Sequence, residues 1–116
     1  MIKALVISSL CAEPSGYPSV LGRPLTQSTS VQIHIAEIEY LDQNGPVTNY
    51  TLHYAPSSDV HPDDVRSASI EASGRMVFHL QELQPFTMYQ FQIQGINEFG
   101  MGPFSPFAEF MTAEDG

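Results

Sequence analysis

Regular alternation of apolar and polar residues begins at Ser30. Val31, Ile33 and Ile35 fall on one side of an extended chain, and Gln32 and His34 on the other. A period of two is the mark of a strand with one buried face. The pattern returns in Tyr50, Leu52 and Tyr54 against Asn49, Thr51 and His53, and in Met76, Phe78 and Leu80 against Val77 and His79. It is cleanest in Tyr89, Phe91 and Ile93 against Gln90, Gln92 and Gln94. Val65 to Ala72 is a weaker strand, and Ala108 and Phe110 belong to a last one. Upstream, Pro14, Gly16, Pro18, Gly22 and Pro24 break up the chain, so the first strand should be irregular and lie at a sheet edge. Turns are expected at Asp42 to Pro46, Ala55 to Asp64 and Ser73 to Arg75, with a long loop from Gly95 to Pro106. No segment has a helical period. Many short strands at this spacing predict an antiparallel sandwich or barrel. Its inward residues are Val31, Ile33, Ile35, Tyr50, Leu52, Phe78, Leu80, Leu83, Tyr89, Phe91, Ile93 and Phe110.

Composition narrows the picture. At 116 residues the chain is one domain, long enough to bury a core without staples. Its apolar fraction of 42% against 15% charged residues argues against disorder. Thirteen acids against four bases leave a net charge of −9, which disfavours nucleic acid and anionic membranes. The single cysteine, Cys11, has no internal disulfide partner and makes no zinc site; pairing between chains is the disulfide open to it. No stretch approaches a membrane span. The apolar run Ala4 to Leu10 lacks a clean small-x-small cleavage site, so residues 1–13 read as an extension or extra strand rather than a secretory signal.

Leu83-Gln-Pro85-Phe-Thr87-Met-Tyr89 resembles the L-x-P-x-T-x-Y signature of fibronectin type III domains. The following residues, through Asn97, Gly100, Gly102 and Ser105, resemble that family's F strand and FG loop. Gly45 to Tyr54 resembles its C strand. The resemblance covers 14–113 and implies an all-β, seven-strand antiparallel Ig-like β-sandwich, with strands A, B and E in one sheet and C, C′, F and G in the other. It also implies that Tyr89 is a tyrosine corner, its hydroxyl bonded back to the backbone, with Leu83 plugging the sandwich end and Pro85 fixing the turn. Gly100 and Gly102 would allow positive φ in the loop. One departure is plain: the family's strand B tryptophan is replaced by Ile35, and the chain has no Trp.

Chemistry is sparse. There is no G-x-S-x-G, H-E-x-x-H or Walker loop, so neither catalysis nor a cofactor is expected. His34 and His79 face outward on neighbouring strands without a third ligand, and His61, Asp63 and Asp64 form a loose polar loop; both read as solvated surface rather than metal sites. Asn49-Tyr50-Thr51 is an N-glycosylation sequon, with Asn49 outward by strand parity. Gln90, Gln92 and Gln94 should form an outward polar row beside Asn49, Thr51 and His53.

The resemblance implies a non-catalytic interaction or spacer module of a multidomain receptor, adhesion or matrix protein, outside the cell or at its surface. An intracellular scaffold, cytoskeletal or ubiquitin-ligase protein is the alternative. Expected partners are proteins and neighbouring domains, with contact through the FG loop at Phe99, Met101 and Phe104. Phe107 and Met111 are outward on strand G. Thr112 to Gly116 reads as an acidic linker, with residues 114–116 beyond the domain.

Overall fold

In a computed structural model, residues 12–57, 65–72 and 76–114 are described. Cys11, nearly all of the N-terminal extension, the His61, Asp63 and Asp64 cluster and the Ser73 to Arg75 turn lie outside them. Two antiparallel sheets face one another. The first holds β3 (Val31–Ala36), with β6 (Val77–Leu80) on one side and the short β1 (Ser19–Val20) and β2 (Leu25–Thr26) on the other. The second runs β5 (Arg66–Glu71), β4 (Val47–Pro56), β7 (Met88–Asn97), with β8 (Gly100–Met101) and β9 (Ala108–Met111) sharing the far edge of β7. The β1 and β2 pieces are one broken A lane, and β8 and β9 one broken G lane, so the described residues form seven lanes. The break between β1 and β2 falls at Gly22, whose φ is +66.

The two inner faces are the period-two residues of the sequence. All twelve expected inward side chains are buried, together with Ile38, Tyr54 and Ala55. Register decides which of them meet. Tyr54 lies opposite Phe91, Leu52 opposite Ile93, and Tyr89 opposite Phe110. The Tyr89 and Phe110 rings stack with centroids 5.4 Å apart, and Phe91 tilts onto Phe110 at 5.9 Å. Ile35, in place of an indole, is itself buried in the same core as Ile38. Only some of the aromatic residues fill this space, for Phe86, Phe99 and Phe107 are exposed.

Several details differ from the sequence expectation. The Asp42 to Pro46 turn is preceded by one helical turn, α1 (Tyr40–Gln43), ended by Asn44 at a left-handed φ of 54°. Strand β7 continues through Gly95 to Asn97 rather than stopping at Gly95. There an added Cβ on Gly95 would meet Ile38 Cδ1, so the buried Ile38 side chain would have to shift. Gly100 has positive φ, +145°, but Gly102 serves close approach instead: a Cβ there would lie 2.8 Å from Pro14 Cβ and its carbonyl oxygen. Thr112, expected in a linker, is 1% exposed. Its hydroxyl donates to the Gln84 carbonyl at 2.6 Å and accepts from the Thr87 amide at 2.8 Å, tying the chain end into the fold.

Candidate interaction site

One end of the sandwich is built from three segments: the chain around Ala12 to Pro14, the connection from Glu37 to Gly45, and the hairpin from Asn97 to Gly102. Asn97 holds them together. It ends β7 with its side chain turned inward and is 3% exposed. Its Nδ2 donates to the Ala12 carbonyl at 2.8 Å and the Gln43 carbonyl at 2.9 Å, and its Oδ1 accepts the Phe99 amide at 2.9 Å. Asn44 adds a bond to the Glu13 carbonyl at 3.0 Å, and Gln43 Nε2 returns to the Ile38 carbonyl at 2.7 Å. Beneath them, the buried Tyr50 hydroxyl accepts the Ile38 amide at 3.0 Å. Burial, foremost, pushes the Tyr50 hydroxyl above its ordinary value, against the lowering effect of the Ile38 bond and with a smaller push from Glu37.

Apolar side chains stand out from this base. Leu41 on α1 is 85% exposed, Met101 on β8 is 63% exposed and Phe99 at the hairpin turn is 43% exposed. Phe104, grouped with the last two by sequence, goes elsewhere. It is half-buried, and its ring tilts against His53 at 5.0 Å. The loop behind it is laced to β7: the Ser105 amide donates to the Ile93 carbonyl at 2.8 Å, and Ser105 Oγ accepts the Ile93 amide at 2.9 Å. This course overturns one expectation. Gln94 is not an outward, solvated residue but 5% exposed, its Nε2 bonded to the Gly102 carbonyl at 2.9 Å. The loop passes over it and shields it from water.

The rest of that outer face is a shallow cup of about 90 Å³ between His53, Ala55, Val65, Gln90, Gln92 and Phe107. It falls short of the ~300–1,000 Å³ of sites that enclose small molecules. Phe107 and Met111 are exposed on the outer side of the edge lane. Asn49 is partly exposed, opposite Glu71 on β5 and Ile96 on β7, after a register shift that follows Val47. His34 and His79 are diagonal neighbours, since His79 opposes Gln32 and His34 opposes Val77. Among the described residues no three His, Cys, Asp or Glu side chains could share a metal ion.

At the opposite end, Tyr89 Oη accepts the Gln84 amide at 2.9 Å, five residues back along the chain. Thr87 Oγ1 donates to the Pro85 carbonyl at 2.8 Å, and Leu83 is buried with its amide bonded to the Thr29 carbonyl. Sequence reasoning missed Leu41 and the linking roles of Asn97 and Thr112. The position of Leu41 directly ahead of the polar turn Asp42-Gln-Asn-Gly was the available signal for it.

Residues 23–111 match the family model described as Fibronectin type III domain. The chain is 38% identical over 73 residues to Host cell factor 1 of Homo sapiens, covering 63% of this chain and 3% of that protein. It is 37% identical over 73 residues to Neogenin of Homo sapiens, covering 61% of this chain and 5% of that protein. The chain thus corresponds to a small fraction of these relatives' length. Its fold is also similar to the crystal structure of chicken CNTN1 FN1-FN3 domains, with a TM-score of 0.72 at 19% identity, over 89% of this chain and 33% of that one.

Proposed function

The chain belongs to the fibronectin type III domain family, and on that premise we propose that it is a non-catalytic interaction or spacer module of a larger receptor, adhesion or matrix protein. The observation that carries this reading is the three-segment end of the sandwich. Asn97 fixes the hairpin to the fold, and Phe99 and Met101 remain outside it. A rigid scaffold holding a variable loop is a favourable recognition surface, because little motion is lost on binding. Phe offers contact area at low entropic cost, and Met adapts to irregular surfaces. Leu41 is exposed on the segment that Asn97 ties to the same hairpin.

Phe99→Ser with Met101→Ser tests the assignment. The expected result is an unchanged melting temperature and at least about tenfold weaker binding to the neighbouring domains of the parent protein, the loss of a central apolar anchor. Unaltered binding removes the loop from the contact; a large fall in stability returns both residues to the core.

The reading places the module outside the cell or on its surface. The Asn49 sequon supports this, because Asn49 is partly exposed near the start of β4. Mass spectrometry of protein secreted from a eukaryotic host should find glycan there. Bare Asn49 on secreted protein would free the outer face of β4 and β7 as a second contact surface. Cytosolic retention of the whole parent would favour the intracellular scaffold.

A further inference from the structure

Charge at the same end of the molecule specifies the partner more closely. Glu13 lies beside the Ala12 carbonyl that Asn97 binds, and its carboxylate reaches toward Gly100. Glu37 and Glu39 flank Ile38, and Glu98 sits in the two-residue turn between β7 and β8. All four are exposed. None has an ion-pair partner among the described residues. The described cations are elsewhere: Arg66 Nη1 donates to the Glu82 carbonyl, toward the end where Tyr89 turns the chain, and Arg23 lies between β1 and β2. Carboxylates alone would mark only a solvated surface. Here they lie on the same three joined segments as Leu41, Phe99 and Met101, three apolar side chains that the fold leaves in water.

We propose that this end of the domain docks a basic protein segment, whose apolar side chain seats among Leu41, Phe99 and Met101 while its Lys or Arg residues meet Glu13, Glu37, Glu39 and Glu98. The proposal rests on the loop-end reading above and adds the partner's chemistry. The physical case is complementarity. Bringing a basic segment to this end relieves repulsion among these carboxylates, and a second acidic surface would increase it. Nucleic acid is excluded by the same sign of charge. The apolar centre supplies what charge cannot, a contact that survives salt and fixes the partner's position. Asn97 makes the arrangement one surface, since it ties the segments bearing Glu13, Leu41 and Phe99 to each other.

The test uses the 116-residue chain and a synthetic peptide of leucines set among lysines. Two controls have the same length, one with glutamine for each lysine and one with serine for each leucine. The lysine–leucine peptide should shift the backbone amide resonances of Leu41, Phe99 and Met101. Its affinity should fall about tenfold between 0.1 M and 1 M salt, as the screening length shrinks from ~10 Å to ~3 Å. Glu13→Gln with Glu39→Gln and Glu98→Gln should flatten that dependence and leave the melting temperature unchanged. A glutamine peptide that binds as tightly at the same amides overturns the basic partner and leaves the loop-end reading standing. A serine peptide that binds as well as the leucine peptide overturns the apolar seat. If no peptide shifts these amides, the basic-segment proposal fails, while the loop-end reading is decided by the Phe99→Ser and Met101→Ser substitutions.

Discussion

Asn97→Asp changes one group at the centre of the candidate site and almost nothing in shape. The amide nitrogen that donates to the Ala12 and Gln43 carbonyls becomes an oxygen facing the same two carbonyls. Two hydrogen bonds are lost, each worth about 0.5–1.5 kcal/mol. The acceptor that holds the Phe99 amide is retained. The new oxygen stands in a place that is 3% exposed, so the carboxylate gives up hydration without gaining a donor. Losing the bonds and burying an unpaired charge together give about 3–5 kcal/mol of destabilisation. For a chain of this size that lowers the melting temperature by at least about 10 °C. Urea denaturation at neutral pH measures the loss. Amide spectra show where it falls: Leu41, Phe99 and the residues after Ala12 should shift or broaden, and the Tyr89 region should not. Equal midpoints for variant and parent would refute the reasoning, because a buried donor with two carbonyl partners cannot be replaced by an acceptor without cost.

Other outcomes follow from the same kind of accounting. Tyr89→Phe removes the acceptor of the Gln84 amide and should cost about 1–2 kcal/mol; Tyr50→Phe, whose Ile38 partner is more deeply enclosed, should cost more, about 2–3 kcal/mol, in denaturant melts. Equal losses would count against burial as the cause of the difference. Tyr50 ionises above the ordinary phenol value. The unfolded chain releases that proton near pH ~10 and the folded chain retains it, so stability should fall as pH rises through and beyond ~10. Phenolate absorbance should show a lagging component that Tyr50→Phe removes. Gly102→Ala places a methyl 2.8 Å from Pro14 and should cost about 1–3 kcal/mol by calorimetry, since one of the crowded atoms is backbone; an unchanged melt would show that the Pro14 segment yields without cost.

The sandwich was legible because each strand carries its own record of which side is wet. Val31, Ile33 and Ile35, or Tyr89, Phe91 and Ile93, need no knowledge of a partner to be assigned to a buried face; period two is a local property of an extended chain. The tyrosine corner was legible for a related reason, since Gln84 and Tyr89 are five residues apart and the bond closes within one turn. What the sequence alone could not supply was where distant segments cross. Gln94 has the same parity as Gln92, which predicts a solvated side chain, yet the chain at Gly102 passes over it. Phe99 and Phe104 looked alike in one loop, but the second returns to His53 on another strand. Thr112 stands at the head of an acidic run in the sequence and is instead bonded to Gln84 and Thr87. Asn97 stands in a run of motif residues, and its carbonyl partners lie 85 and 54 residues away. The local alternation of side chains therefore settled the fold and its core. The candidate site depended on contacts between segments far apart in the chain, which burial and hydrogen bonding establish only once the sheets have brought those segments together.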